Sequence, residues 1–361
     1  MNPLARIKNL LRRRGAEPEI DAYADPEAAR AGSGIPRKAL LGLLVLVLLA
    51  AWGVGFYWSR TPDLFNPVEA ARARSGENVQ PGQVPGYVTT AALIEVMETL
   101  LEKPGGYLSN DVLPPSVLLD NMPNWEFGVL LQARDLARSL RNDMSRSRSQ
   151  STEDPDLAVA DPQFSFNSES WLFPPTEREY RKGMDALQSY LGRLADPANQ
   201  NTQFYARADN LADWLDLVNK RMGSLSQRLS ASVDEVRLNI DLAGEPQARQ
   251  ATASSGEVYT QTPWLEIDDV FFEARGSTWA IVHFLKAVES DFREVLEDKN
   301  ARVSLQQIIR ELEQSQRPLW SPLVLNGSGF GIFANHSLIM ASYIARANAA
   351  LIDLRKLLAD G

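Results

Sequence analysis

The chain has 361 residues, 23% of them charged, and carries −9 at pH 7. It has no cysteine, which excludes disulfides, thiolate zinc sites and thiol nucleophiles. Eight Lys/Arg against five Asp/Glu give residues 1–38 a balance of +3 and the next twenty carry no charge, so −12 falls on the rest, a poor surface for nucleic acid phosphates.

At the start, Leu4, Ile7, Leu10 and Leu11 recur at helical spacing among Arg6, Lys8 and Arg12–Arg14. The pattern reads either as a short basic amphipathic helix on a membrane surface or as a plain topogenic charge cluster. Residues 15–34 read as a spacer, and 1–38 together as a basic cytoplasmic tail. Ala39–Trp58 follows as ALLGLLVLVLLAAWGVGFYW. At about 1.5 Å per residue it reaches ~30 Å, the thickness of a bilayer's hydrocarbon core. Arg37 and Lys38 flank one end, and Trp52, Phe56, Tyr57 and Trp58 gather at the other. Basic flanks stay in the cytoplasm, and aromatic residues collect at the interface. The sequence therefore predicts a transmembrane helix over 39–58, with the lipid bilayer as its partner and the bulk of the chain outside. Polar flanks oppose a buried core helix. The long apolar run, with no small-x-small site after it, opposes a cleaved signal peptide.

Residues 59–88, rich in Pro, Gly and Ala, read as a flexible linker that lifts a domain over 89–361 off the membrane. Apolar stripes at helical spacing follow. They run through Leu93–Leu101, Val129–Met144, Tyr180–Leu194, Phe204–Leu229, Ile281–Val295, Leu305–Leu312 and Met340–Leu358. The fourth keeps a 4-3 spacing over more than three heptads. Each stripe must bury one face, so the predicted fold is mainly α, a helical bundle. Val236–Leu242 alternates apolar and polar, the period of a half-buried strand. With Val258–Thr262 it predicts a small β-hairpin near 236–262. The stretch 145–175 is too long for a plain connection, yet holds Phe164, Phe166, Trp171, Leu172 and Phe173. It reads as an ordered loop packed across the bundle, or as a binding lid.

Chemistry is sparse. Asn326-Gly-Ser-Gly-Phe-Gly331 precedes the last helix, where a loop with Gly327, Gly329 and Gly331 could cradle a phosphate. It has no Walker lysine and no surrounding βαβ unit, so a tight glycine-requiring turn is the stronger reading. Two histidines exist, His283 and His336. His336 lies eight residues after Ser328, but no G-x-S-x-G elbow is present. His283, among Ile281, Val282, Phe284 and Leu285, reads as a half-buried helix residue. Thr262-Pro263 reads as the cap and first turn of the fifth stripe's helix. Glu266, Asp268, Asp269 and Glu273 then suit its dipole, and no calcium loop surrounds them. Glu289-Ser290 matches the pair of helical lytic transglycosylases, without the glycine-leucine-methionine-glutamine run of those enzymes. Glu289, Glu169 and His336 remain as catalytic candidates, and Trp171 as a ligand-binding one. No metal or cofactor is expected.

The segments Phe173-Pro-Pro-Thr-Glu-Arg-Glu-Tyr-Arg-Lys-Gly183 and Pro322–Gly331 carry a resemblance. They are similar to a family of Gram-negative single-pass inner-membrane proteins catalogued as a domain of unknown function. The resemblance extends over most of the chain and brings no catalytic residue with it. It implies a bacterial inner-membrane protein with a periplasmic domain. The expected role is non-enzymatic, binding or scaffolding with an envelope protein partner. The alternative is a periplasmic hydrolase acting on peptidoglycan or another envelope substrate.

Overall fold

A computed structural model describes residues 37–76, 80, 82–147, 152–199, 201–233, 235–238, 257–321, 323–328 and 331–360. The tail reading for 1–36, the turn of the hairpin and Gly329 lie outside the described residues. The chain divides into two units, Met1–Ala50 and Ala51–Gly361. Helix α1, Arg37–Trp58, is long and apolar enough to cross a membrane, and its side chains are almost all unburied.

The second unit is mainly helical. In chain order come α2 (Pro67–Arg74), α3 (Tyr87–Glu102), α4 (Asn121–Ser139), α5 (Pro155–Phe164), α6 (Thr176–Ala195) and α7 (Ala208–Ser230). Strands β1 (Glu235–Leu238) and β2 (Glu257–Thr260) pair antiparallel, Val236 opposite Tyr259, as the alternation predicts. Then come α8 (Ile267–Asp291), α9 (Arg293–Asp298), α10 (Arg302–Gln314) and α11 (His336–Asp360).

All seven stripes fall on helices, and the heptad residues Leu211, Leu215, Val218, Met222, Leu225 and Leu229 are buried. Two helices lie where loops were expected. The stretch 59–88 holds α2, capped by Asn66 Oδ1 on the Val68 N–H at 3.0 Å, with Pro67 in its first turn. The stretch 145–175 holds α5, capped by Asp154 on the N–H groups of Asp156 and Leu157. The helix of the fifth stripe starts later than the Thr262-Pro263 cap would place it. Pro263 precedes a 3-10 turn, Trp264–Glu266, and α8 begins only at Ile267.

Helix α8 is the centre. Nineteen of its residues are buried, on every side. Its backbone touches that of α4 because both helices put glycine at the crossing. A Cβ on Gly276 would overlap the Trp125 carbonyl oxygen, and one on Gly128 the Glu273 carbonyl oxygen. The Ser277 hydroxyl donates to Gly128 O at 3.1 Å in the space so gained. Asn124 Nδ2 donates to Asp269 Oδ1 at 2.6 Å, so α4 and α8 start at the same end. Helix α7 runs the other way: Arg228 makes a bidentate pair with Glu273 (2.8 and 2.5 Å), and Arg221 pairs with Asp135 at 2.8 Å. Helix α3 is also reversed, its start beside Asp291 and its end beside Glu126.

Two buried ties close the body. Lys103 and Glu126 form an ion pair with both side chains at or near zero exposure. Glu126 also accepts from the Leu108 and Ser109 N–H groups at 2.8 Å each. Buried charge survives there because partners surround it. His283, fully buried rather than half-buried, reaches the expected linker. Its Nε2 accepts the Phe65 N–H at 3.0 Å, its Nδ1 faces the Trp279 carbonyl at 2.8 Å, and Phe65 stacks on its ring at 3.8 Å. Residues 60–66 are thereby held on α8 and do not read as a free tether.

Gly276→Ala should lower the free energy of unfolding by at least about 2 kcal/mol, since the added methyl must push two helix backbones apart. Gly192→Ala, on α6 with open space around it, should instead stabilise by about 0.5–1 kcal/mol. Denaturant titration of the two variants checks the difference.

Candidate functional site

The ends of α10 and α11 and the first turns of α8 enclose a cavity of about 230 Å³. Phe271, Leu319, Ile339 and Met340 give it apolar walls; Arg275, His336 and Tyr343 give it polar edges. Arg275 is placed by its own partners. Its guanidinium donates to the carbonyls of Arg317 (2.9 Å), Gln316 (3.1 Å) and Ser315 (3.4 Å), the oxygens left free where α10 ends. Burial lowers its pKa to about 10. The charge is therefore held by helix-end dipoles.

His336 opens α11. Its Nδ1 accepts the Leu325 N–H at 3.0 Å, so in the neutral ring the proton sits on Nε2. Burial depresses its pKa below the ordinary histidine range. The serine of the cavity wall, Ser315, bonds Leu312 O at 2.6 Å and Thr278 Oγ1 at 3.0 Å through its Oγ. The cavity thus offers positive charge and N–H donors over apolar walls, and its lining holds no carboxylate. Such a lining can hold a small acid that carries an apolar group. It holds no base-and-nucleophile pair.

The glycine motif shapes one side. Asn326 and Asn335 bridge antiparallel, and the Gly327 N–H donates to Ala334 O at 3.0 Å. A Cβ on Gly327 would overlap the Phe333 carbonyl. Asn335 Oδ1 accepts the Leu338 N–H at 2.8 Å and caps α11. A phosphate cradle needs its amides free, and the Gly327 N–H is already taken.

The catalytic candidates do not assemble. His336 sits by Phe271, while Glu289 lies eighteen residues further along α8, ~27 Å at 1.5 Å per residue. Glu289 accepts from Gln306 at 2.6 Å and pairs with Arg302 at 3.3 Å. Glu169 is exposed in the turn after α5, its N–H bonded to Asn167 Oδ1 at 3.0 Å. Trp171 lines a different cavity of about 280 Å³, with Trp58, Asn110, Leu113 and Glu177. Sequence reading missed Arg275, Asp291 and the Lys103–Glu126 pair. For Arg275 a signal existed: a lone arginine inside an otherwise apolar and small-residue run.

A family of uncharacterized proteins conserved in bacteria, DUF2333, matches residues 33–361. The chain belongs to this family. The match takes in α1, both cavities and the two motifs that carried the resemblance. No curated protein and no solved structure matches the chain.

The buried titratable groups off the cavity serve the fold. Burial lowers the His283 pKa to about 3, which keeps the ring neutral while it accepts from Phe65. Asp291, at the end of α8, accepts the Thr89 N–H at 2.7 Å and so caps α3 from outside. Burial raises its pKa from 3.8 to about 7, against the lowering by the α3 amides. A raised acid favours the folded state at low pH and loses that contribution as pH rises through about 7. Its slope is roughly 1.4 kcal/mol per pH unit between the two values. Asp291→Asn removes that slope. The drop in Tm between pH 5 and pH 8 should shrink in the variant, and an unchanged drop would contradict the assignment.

Proposed function

We propose that the chain is a single-span anchored protein of the bacterial inner membrane, with its helical body in the periplasm and a binding or scaffolding role there. The observation that carries the anchoring is α1. It presents apolar side chains with almost none buried, and Arg37 and Lys38 stand at one end of it. An apolar surface of that size, left bare in water, would drive aggregation. The −12 borne after the anchor suits a body that is not drawn onto anionic lipid through bulk charge.

Two observations support binding over turnover. The cavity beside His336 combines a guanidinium, an imidazole N–H and apolar walls, a set that recognises an acidic group attached to an apolar one. The buried histidine and carboxylates elsewhere are committed to the fold: His283 to residue 65, Asp291 to α3, Glu126 to Lys103. The hydrolase reading would need Glu289, Glu169 or His336 to act alone.

An alkaline phosphatase fused after Gly361 should be active in cells, and an inactive fusion would reverse the orientation. The purified full chain in detergent should release no soluble fragments from peptidoglycan. Release that disappears in Glu289→Gln or His336→Ala would favour the hydrolase.

A further inference from the structure

The end of the body where α3 finishes and α4 and α8 start carries a cluster of bare apolar side chains. The loop 110–119 leaves Leu113 and Leu118 72% and 75% exposed. Beside it, Asn110 Nδ2 donates to the Ser170 carbonyl at 2.9 Å and to Glu177 Oε2 at 2.9 Å. That joins the loop to the turn 170–174, where Trp171 and Leu172 are bare and Phe173 is 87% exposed. Phe173 has φ 48°, a left-handed backbone that an aromatic residue adopts only under constraint. The fold thus holds a phenylalanine out into solvent in an unfavourable conformation. Aspartates Asp120, Asp268 and Asp269 lie close enough to repel one another at the same end, a few residues after the exposed Trp264 and Leu265 in the case of the last two.

This end is also where α1 enters. Gly55, the buried residue of α1, faces Leu119 and Pro115, and Trp58 packs where Gly105 (φ 88°) leaves room for it. The aromatic run Trp52, Phe56, Tyr57 and Trp58 therefore stands beside the loop 110–119. Arg60 lies over the Phe56 and Tyr57 rings at 5.7 and 5.9 Å. Aromatic residues with an adjacent arginine mark the headgroup level of a spanning helix.

We infer that the face built by Leu113, Leu118, Trp171 and Phe173 beside Trp58 rests in the outer surface of the bilayer that α1 crosses. It seats the body directly on the membrane. The inference rests on the anchoring reading above. Its occupant is lipid because the patch is continuous with the aromatic end of the anchor, so any bilayer that holds Trp58 at its interface also reaches Leu113. The aspartates at the rim suit zwitterionic headgroups better than a densely anionic surface. On this reading the body is seated at the membrane and not lifted clear of it by a linker.

The absence of cysteine makes the test direct. Single variants Leu113→Cys, Leu118→Cys and Phe173→Cys of the full chain are labelled with an environment-sensitive fluorophore in phosphatidylethanolamine-rich vesicles. Leu46→Cys, within α1, reports the anchor. Val303→Cys is the water control, because it is 75% exposed beside Arg302, which pairs with Glu289 near the other end of α8. Lipids carrying a quencher at the top of the acyl chain are then added. The three patch labels and Leu46 should lose most of their emission, and Val303 none. Quenching at Leu46 with patch labels as responsive to aqueous iodide as Val303 would overturn the seated face and leave the anchor standing. Patch labels shielded from both quenchers would show a protein covering this face and also overturn it. No quenching at Leu46 would overturn the anchor, and the seated face with it.

Discussion

The close crossing of α4 and α8 is the constraint on which the remaining contacts depend. Two glycines bring the helix backbones together, so α8 lies deeper than its own side chains would otherwise permit. A helix buried on all sides cannot leave its polar groups to water. Each one is therefore spent on another element. Ser277 bonds the α4 backbone, Glu273 pairs with α7 and Arg275 closes the end of α10. His283 takes the backbone of residue 65, and Asp291 caps α3. One helix thus orients five segments through directional bonds, while the surrounding stripes supply the apolar burial.

That arrangement explains what the sequence revealed and what it hid. Helices with one apolar face, such as α6, α7 and α10, announce themselves by periodicity, and all lie where the stripes fall. Helix α8 has no single stripe to show, so only its second half was legible; Arg275 was missed and His283 read as half-buried. Helix α2 is short and polar, and α5 contains Pro162, which disguises a helix as a loop. Trp171, Leu172 and Phe173 were expected to pack across the bundle, and they stand exposed instead. The cavity was half legible. His336 was singled out from its position at the start of the last helix, but Arg275 reaches the same cavity from about sixty residues away through the tertiary fold.

The same physics bears on function. Buried ionisable groups are often the mark of catalysis. Here the perturbed groups His283 and Asp291 are already bonded to backbone amides, and their shifts express structural burial. Among the described residues, the cavity beside His336 and the apolar face beside Trp58 are open to a ligand or a surface. Both lie toward the end of the body from which α4 and α8 start. Membership of DUF2333 brings the whole of this arrangement under one family match without naming an activity for it.

The central claim is that α8 holds the segment after α1 as part of the body. The exchange of the Phe65 amide with deuterium reads it directly in the full chain in lipid. If His283 Nε2 accepts that N–H in the core, it exchanges as slowly as the amides of α8 themselves. Exchange at the rate of an unstructured peptide would show residues 60–66 to be a free tether and contradict the account.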